Sequence, residues 1–425
     1  EMKLAAVEAI AALAREAPSD VAARAYGGEA MSFGAGSLIP NPFDPRLILR
    51  IAPAVARAAI ASGVALRPIS DFATYIERLN RFVFRSGLVM KPVFARAKET
   101  ERRIIYAEGE DERILRATQV VVEERLARPT LVGRPAVIEA RIARFGLSIE
   151  PARDFDLINP EDDPRFRDYV NTYIEAAGRR GVTPEAARTI VRTNATVIAA
   201  LAVRRGEADG MLCGVEGRYM SHLYHIREVL GLSPGTREFA ALSLVITTRG
   251  AYFLCDTQVT PEPSAEEIAE MAVMAAQHVR RFGLQPKIAL LSHSDFGSYD
   301  SASSRKMRRA CELLRETHPE CEVDGEMHGD SALNPLHRSR VLPHSRLRGE
   351  ANVLIFPNLD AANIAYQMVK EFGDALPVGP ILMGAGRIAH ILTPSVTARG
   401  IINMTAVSAV DAQEEAERQG SLGFG

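Results

Sequence analysis

From Arg103 to Met383 the chain alternates short runs of β-branched and apolar residues with longer stretches whose apolar positions recur every three or four residues. This alternation constrains the fold more than any other feature. Strands separated by helices cannot pair as hairpins, so they return in one direction and form parallel sheets covered by helices on both faces. The pattern predicts strands at 103–106, 129–132, 155–158 and 209–213, with helices at 110–127, 135–145, 163–180 and 184–204. A second unit begins near Ala241, with strands at 242–248, 252–255 and 287–291, a helix capped by Ser264 that runs to Phe282, and a helix at 302–317. The fold class is therefore α/β, with mostly parallel sheets.

The segment Gly379–Val410 reads as a short buried strand, a glycine turn and a helix with apolar residues at Ile401, Met404, Ala406, Val407 and Val410. Loops at the carboxyl edge of such sheets are where ligands bind. Gly384-Ala385-Gly386-Arg387-Ile388-Ala389 fits the G-x-G-x-x-A pattern of dinucleotide sites. That pattern needs a helix starting on the glycines and an acidic residue about 20 positions on. Pro394 interrupts the first requirement, and the second residue is missing.

A net charge of −2 with 47% hydrophobic and 24% charged residues argues against nucleic acid or an anionic membrane as partner. No apolar run reaches bilayer length. The apolar residues 4–14 are interrupted by Glu8 and lack a signal peptide's flanks, so the expected setting is cytoplasmic. Cys213, Cys255, Cys311 and Cys321 have neither CxxC spacing nor a disulfide framework, as suits small buried residues in a reducing compartment. His222 and His225 lack a cluster of carboxylates or cysteines around them, so no metal site is expected. The start at Glu1 reads as that of a fragment of something longer.

Residues 2–15 form an alanine-rich helix, and Ile39-Pro40-Asn41-Pro42-Phe43-Asp44-Pro45-Arg46 is held extended by its prolines before a helix from about Leu47 to Ala61. This block, 1–68, resembles the carboxyl-terminal end of malic enzymes, where an IPxPFDPRL segment precedes a final helix and a SGVA turn. The catalytic tyrosine and lysine, metal carboxylates and NADP-binding turn of that family would lie upstream. A linker helix follows within 69–97, capped by Ser70 and stopped by Gly87. Residues 413–425 read as a tail, disordered from Gly420.

Over 98–412 the chain resembles phosphate acetyltransferases. The resemblance rests on Glu108-Gly109-Glu110-Asp111-Glu112-Arg113, Ala208-Asp209-Gly210, Asp256 to Ser264, Ser292-His293-Ser294-Asp295-Phe296-Gly297-Ser298, Asp330-Ser331-Ala332 and Phe356-Pro357-Asn358-Leu359. It implies a two-lobed fold like that of isocitrate and isopropylmalate dehydrogenases, one lobe built from 98–240 with a returning segment 388–412 and the other from 241–387. It further implies a ligand cleft, with acetyl-CoA or CoA as ligand. The hydroxyl and glycine loop 292–298, ahead of a helix, has the chemistry of a phosphate cradle. The candidate contacts are Arg218, Tyr219, Arg227, Ser292, Ser294, Gly297, Ser298, Asn334, Asn363, Arg387, His390 and Thr393.

Acyl transfer between a thiol and phosphate needs a base, a cation on the phosphate and an oxyanion donor. In the family an aspartate, an arginine and a serine are assigned these tasks. Gap-free alignment puts Gly400, Pro394 and Thr393 at those positions. A malic-enzyme end joined to such a domain is the layout of bacterial multidomain NADP-dependent malic enzymes. The layout implies an acetyl-CoA sensor that self-associates as a homodimer or larger oligomer, is covalently linked to a malic enzyme domain, and has no transferase activity of its own. NADP and Mg or Mn would belong to that other domain. A working phosphate acetyltransferase is the alternative.

Overall fold

A computed structural model describes residues 1–15, 38–40 and 46–422. Most of the proline-rich segment lies outside the described residues. Two compact units divide the chain: Glu1–Ala95 with Ile246–Gly250, and the remainder from Arg96 onward.

In the first unit α1 (Met2–Arg15) packs on α2 (Arg46–Ala61). Helix α3 (Phe72–Ala97) starts one residue later than its sequence cap suggests, because Asp71 and not Ser70 accepts the Thr74 amide, at 3.0 Å. It also continues through Gly87 and Pro92 to Ala97. A single glycine costs a helix only about 1 kcal/mol, which is not enough to end it.

The second unit contains two sheets. The first comprises β1 (Arg103–Tyr106), β2 (Arg128–Val132), β3 (Asp156–Ile158), β4 (Gly210–Cys213) and β11 (Ala389–Ile391), in the order β11-β4-β1-β2-β3 with every neighbour parallel. Between them run α4 (Glu112–Glu123), α5 (Pro135–Phe145), α6 (Phe166–Ala177), α7 (Pro184–Thr193), α8 (Ala195–Arg204) and α9 (Tyr219–Val229). The stretch 184–204, expected as one helix, is two helices bent by 102°. Asn194 makes the break: its side chain caps α8 by accepting the Val197 amide, an interaction that competes with continued helix. Every residue of α8 from Thr196 to Val203 is buried.

The second sheet comprises β5 (Ala240–Ile246), β6 (Ala251–Cys255), β7 (Lys287–Leu291), β8 (Glu322–Met327), β9 (Val353–Ile355) and β10 (Leu376–Met383), in the order β10-β5-β6-β9-β7-β8. Its helices are α10 (Ala265–Arg281), α11 (Ala302–Thr317), α12 (Gly329–Leu333), α13 (Pro335–Val341) and α14 (Leu359–Phe372). Ser264 caps α10 in a full capping box with Glu267.

The chain then returns to the first sheet. After β10 the glycine turn leads not into a helix but into β11, which pairs with β4. This excludes the dinucleotide reading, which needs a helix dipole on the glycines. The glycines serve packing: a Cβ on Gly386 would sit 2.6 Å from the Leu230 carbonyl oxygen, and Gly384 has φ +85°. The last helix, α15 (Ala398–Leu422), is buried on all sides from Ile401 to Gln413 and includes residues 413–422, read above as tail. Among the described residues, no single helix is long and apolar enough to cross a membrane.

Candidate functional site

The carboxyl ends of β1, β4 and β11 lie side by side, so the loops 107–113, 214–218 and 392–397 converge. Glu108 is the charged residue nearest the strand ends. Its Oε1 accepts the Gly214 amide at 3.0 Å, and its Oε2 is enclosed without a hydrogen-bond partner. Gly214 has φ +90°, and a Cβ there would meet the Leu392 carbonyl oxygen at 2.6 Å, so only glycine lets these two strand ends close on Glu108. Burial pushes the Glu108 carboxyl up to about 7, because the charged form loses hydration that one amide replaces only in part. His222 stands 4.0 Å from Glu108 but does not serve it. One ring nitrogen of His222 meets the Thr196 hydroxyl at 2.8 Å and the other the Glu216 carbonyl at 2.7 Å. His225 likewise pairs with the Asn194 amide at 2.9 Å.

Arg113 fixes the loop that carries Thr393 and Pro394. Its guanidinium donates to the carbonyls of Pro394 at 2.6 Å, Val396 at 3.2 Å and Val215 at 2.9 Å, and pairs with Asp111. A guanidinium so engaged has no fork left for a phosphate. Thr393 shares a hydrogen bond with Ser395 at 3.1 Å. Gly400 lies in the first turn of α15, where a Cβ would approach the Val396 side chain at 2.8 Å.

The loop after β7 is occupied by the protein itself. Glu326 on β8 is buried, and its Oε1 accepts the Ser294 hydroxyl at 3.0 Å and the Gly297 amide at 2.8 Å. Burial opposes the charge of Glu326, but Arg308, a third donor at 3.1 Å, outweighs it together with these hydrogen bonds and holds the carboxyl below the usual range. The cradle expected for a phosphate thus holds a carboxylate of the fold. Ser292 accepts the Ser294 amide, and Ser298 accepts the Asp295 amide.

The other candidates separate. Arg218 precedes α9 at the first sheet's edge and is exposed. Tyr219 beside it has a buried hydroxyl with no partner. Arg227 is ion-paired with Glu238 and lies over the Phe239 ring at 4.8 Å. Asn334 caps α13, and Asn363 donates to the Thr257 carbonyl at 2.9 Å. Arg387 and His390 lie elsewhere again, in a cavity of about 560 Å³ bounded by the 233–237 loop, α10, α11, α15 and the β10–β11 turn.

That cavity has a buried ionic floor that the sequence reading did not single out. Asp411 is 1% exposed and sits 2.5 Å from Arg281 and 3.2 Å from His390. Arg281 also meets His278 Nδ1 at 2.7 Å and Glu414 at 2.8 Å. Burial and the adjacent Arg281 push the His278 imidazole down to about 3. Burial opposes ionisation of Asp411, but Arg281 and the histidines outweigh it and hold the carboxyl below its ordinary range. The available sequence signal was a lone charged residue in a stretch of small and apolar residues, Ala406 to Ala412.

Comparison with known proteins agrees with this architecture. Residues 88–409 match the model of the phosphate acetyl/butaryl transferase family. The chain is 62% identical over 97% of its length to an NAD-dependent malic enzyme of Rhizobium meliloti, covering 54% of that protein. It is 49% identical over 98% of its length to an NADP-dependent malic enzyme of Escherichia coli, covering 55% of it. The chain therefore spans about half the length of these curated relatives, whose carboxyl-terminal part it resembles. A phosphotransacetylase structure from Streptococcus pyogenes superposes with a TM-score of 0.72 at 27% identity, over 77% of this chain and 98% of that one. The chain belongs to the phosphate acetyl/butaryl transferase family.

Proposed function

We propose that this chain is the regulatory, acetyl-CoA-binding and self-associating part of a bacterial malic enzyme, and that it does not itself transfer acyl groups. The observation that carries the reading is Pro394. Where the family resemblance calls for an arginine, this chain offers only a backbone carbonyl, already taken by Arg113. Gly400, at the aspartate's position, brings no base, and Thr393 retains only a hydroxyl. Loss of a general base costs about 10²- to 10⁴-fold, and loss of an electrostatic partner a comparable further factor. Oxidative decarboxylation of malate, with its nicotinamide cofactor and divalent metal, would belong to the rest of the longer protein.

Binding without turnover supplies what a sensor needs, since a ligand that prefers one arrangement of a domain biases what is fused to it. The test is calorimetric titration of acetyl-CoA into the chain in phosphate buffer, alongside an assay for free thiol. Heat that saturates at fixed stoichiometry without thiol release is expected. Continued thiol release would reinstate a working phosphate acetyltransferase, and absence of heat would leave only a scaffold.

A further inference from the structure

The cavity beside β11 differs in chemistry from the cleft edge at Thr393. Part of its wall is apolar, from Val273 and Met274 on α10, Leu313 on α11 and Leu382 and Met383 on β10, and its rim carries Arg237, Arg387 and Arg418 beside Glu266 and Glu270. A partly apolar wall with three arginines at its rim suits a ligand with an apolar arm and phosphate groups, since arginine recognises phosphate through paired donors. Arg387 is 46% exposed and its pairing with Glu415, at 2.7 Å, is a surface ion pair. Such pairs contribute little, so a phosphate can displace the carboxylate at small cost. At the cleft edge, by contrast, Arg113 is spent on backbone carbonyls and Glu326 fills the cradle after β7.

The floor of the cavity is tied to the end of α3. Glu414 accepts from Arg281 with one oxygen, at 2.8 Å, and from Arg96 with the other, at 2.7 Å. Arg96 is in the last turn of α3. Beside it, the Gln413 side chain donates to the carbonyls of Arg96 at 3.0 Å, Ala97 at 3.3 Å and Thr100 at 2.8 Å. One carboxylate therefore joins the cavity floor to the helix that leads back to the amino-terminal block. A ligand that draws Arg281 upward weakens one arm of that link.

We infer that the effector site is this cavity and not the cleft edge at Thr393, that it takes a phosphate-bearing thioester of the acyl-CoA class, and that Glu414 passes its occupancy to the end of α3. The inference rests on the reading of the chain as an acetyl-CoA sensor. Hydrogen exchange with and without acetyl-CoA, on the full chain, locates the site directly. Protection is expected at 233–237 and 384–390, with altered exchange at 94–100. Arg387→Glu and Arg237→Glu, both on the exposed rim, are expected to weaken acetyl-CoA binding about tenfold or more, which calorimetry reads. Protection at 214–218 and 393–397 in place of the cavity, with unaffected binding in the rim variants, would overturn the site and leave the sensor reading intact. Cavity protection with no change at 94–100 would overturn the link through Glu414. Neither heat nor protection with the unaltered chain would remove the sensor reading and the site together.

Discussion

The loop after β7 closes on a buried glutamate of β8, Glu326, the loop after β1 carries a half-buried one, Glu108, and the two are treated in opposite ways. Glu326 receives a hydroxyl, an amide and a guanidinium, so its charge is fully met inside the protein. Glu108 receives one amide, and its second oxygen has no partner. A buried polar group that is satisfied holds structure together, whereas one that is not costs stability and persists where something else requires it. The loop with the more suggestive sequence is thus the structural one. The edge beside Thr393 and Pro394 keeps the unspent group.

The largest test of this contrast is Glu326→Ala, which strands the Gly297 amide, the Ser294 hydroxyl and Arg308. A loss of about 3 kcal/mol in denaturant unfolding is expected. A loss below about 1 kcal/mol would mean that the loop does not depend on its carboxylate. The cavity floor extends the comparison to a base. The folded chain keeps His278 neutral down to about pH 3, while the unfolded chain binds a proton below its ordinary value near 6.5. Stability therefore falls as pH falls through that window, by about 2 kcal/mol at pH 5. In His278→Gln this part of the acid slope should vanish from urea titrations run between pH 7 and 5.

Glu108 has the reverse sign. Its folded value is raised, so its stabilising contribution is complete below the unfolded value of 4.5 and is lost as pH rises through about 7. Glu108→Gln is expected to gain about 1–2 kcal/mol at pH 8 and nothing at pH 4. An equal effect at both pH values would show that Glu108 is not held neutral. The smallest effect belongs to Arg113→Lys, which keeps the charge but loses the fork that ties Pro394 and Val396 to Val215. About 1 kcal/mol is expected in thermal melts. Faster exchange of the 393–397 amides should accompany it.

Periodicity was enough for the parallel α/β class and most elements, because the alternation of short β-branched runs with amphipathic helices allows few other arrangements. The helices at 135–145 and 302–317 and the strand at 287–291 were legible to the residue. Asn194 and Gly87 were misjudged for one reason: whether a polar or flexible residue breaks a helix depends on what its neighbours bury. The Gly384–Gly386 turn fits a dinucleotide pattern in sequence, in a context that lacks the helix and acidic residue such a site needs. The structure assigns those glycines to close packing against residues 230–239.

The sequence by itself determined which side chains stand at 393, 394 and 400, since no folding can make Pro394 a cation or Gly400 a base. It also determined that the chain forms mostly parallel sheets, because the pattern of burial is written locally. Only the tertiary structure decided where charge is spent. Asp411 and His278, 133 positions apart, meet on one cavity floor, and Glu326 fills a cradle formed some thirty residues earlier. Such pairings depend on the folded path of the chain, where desolvation makes each unpaired charge costly, and no local pattern records them.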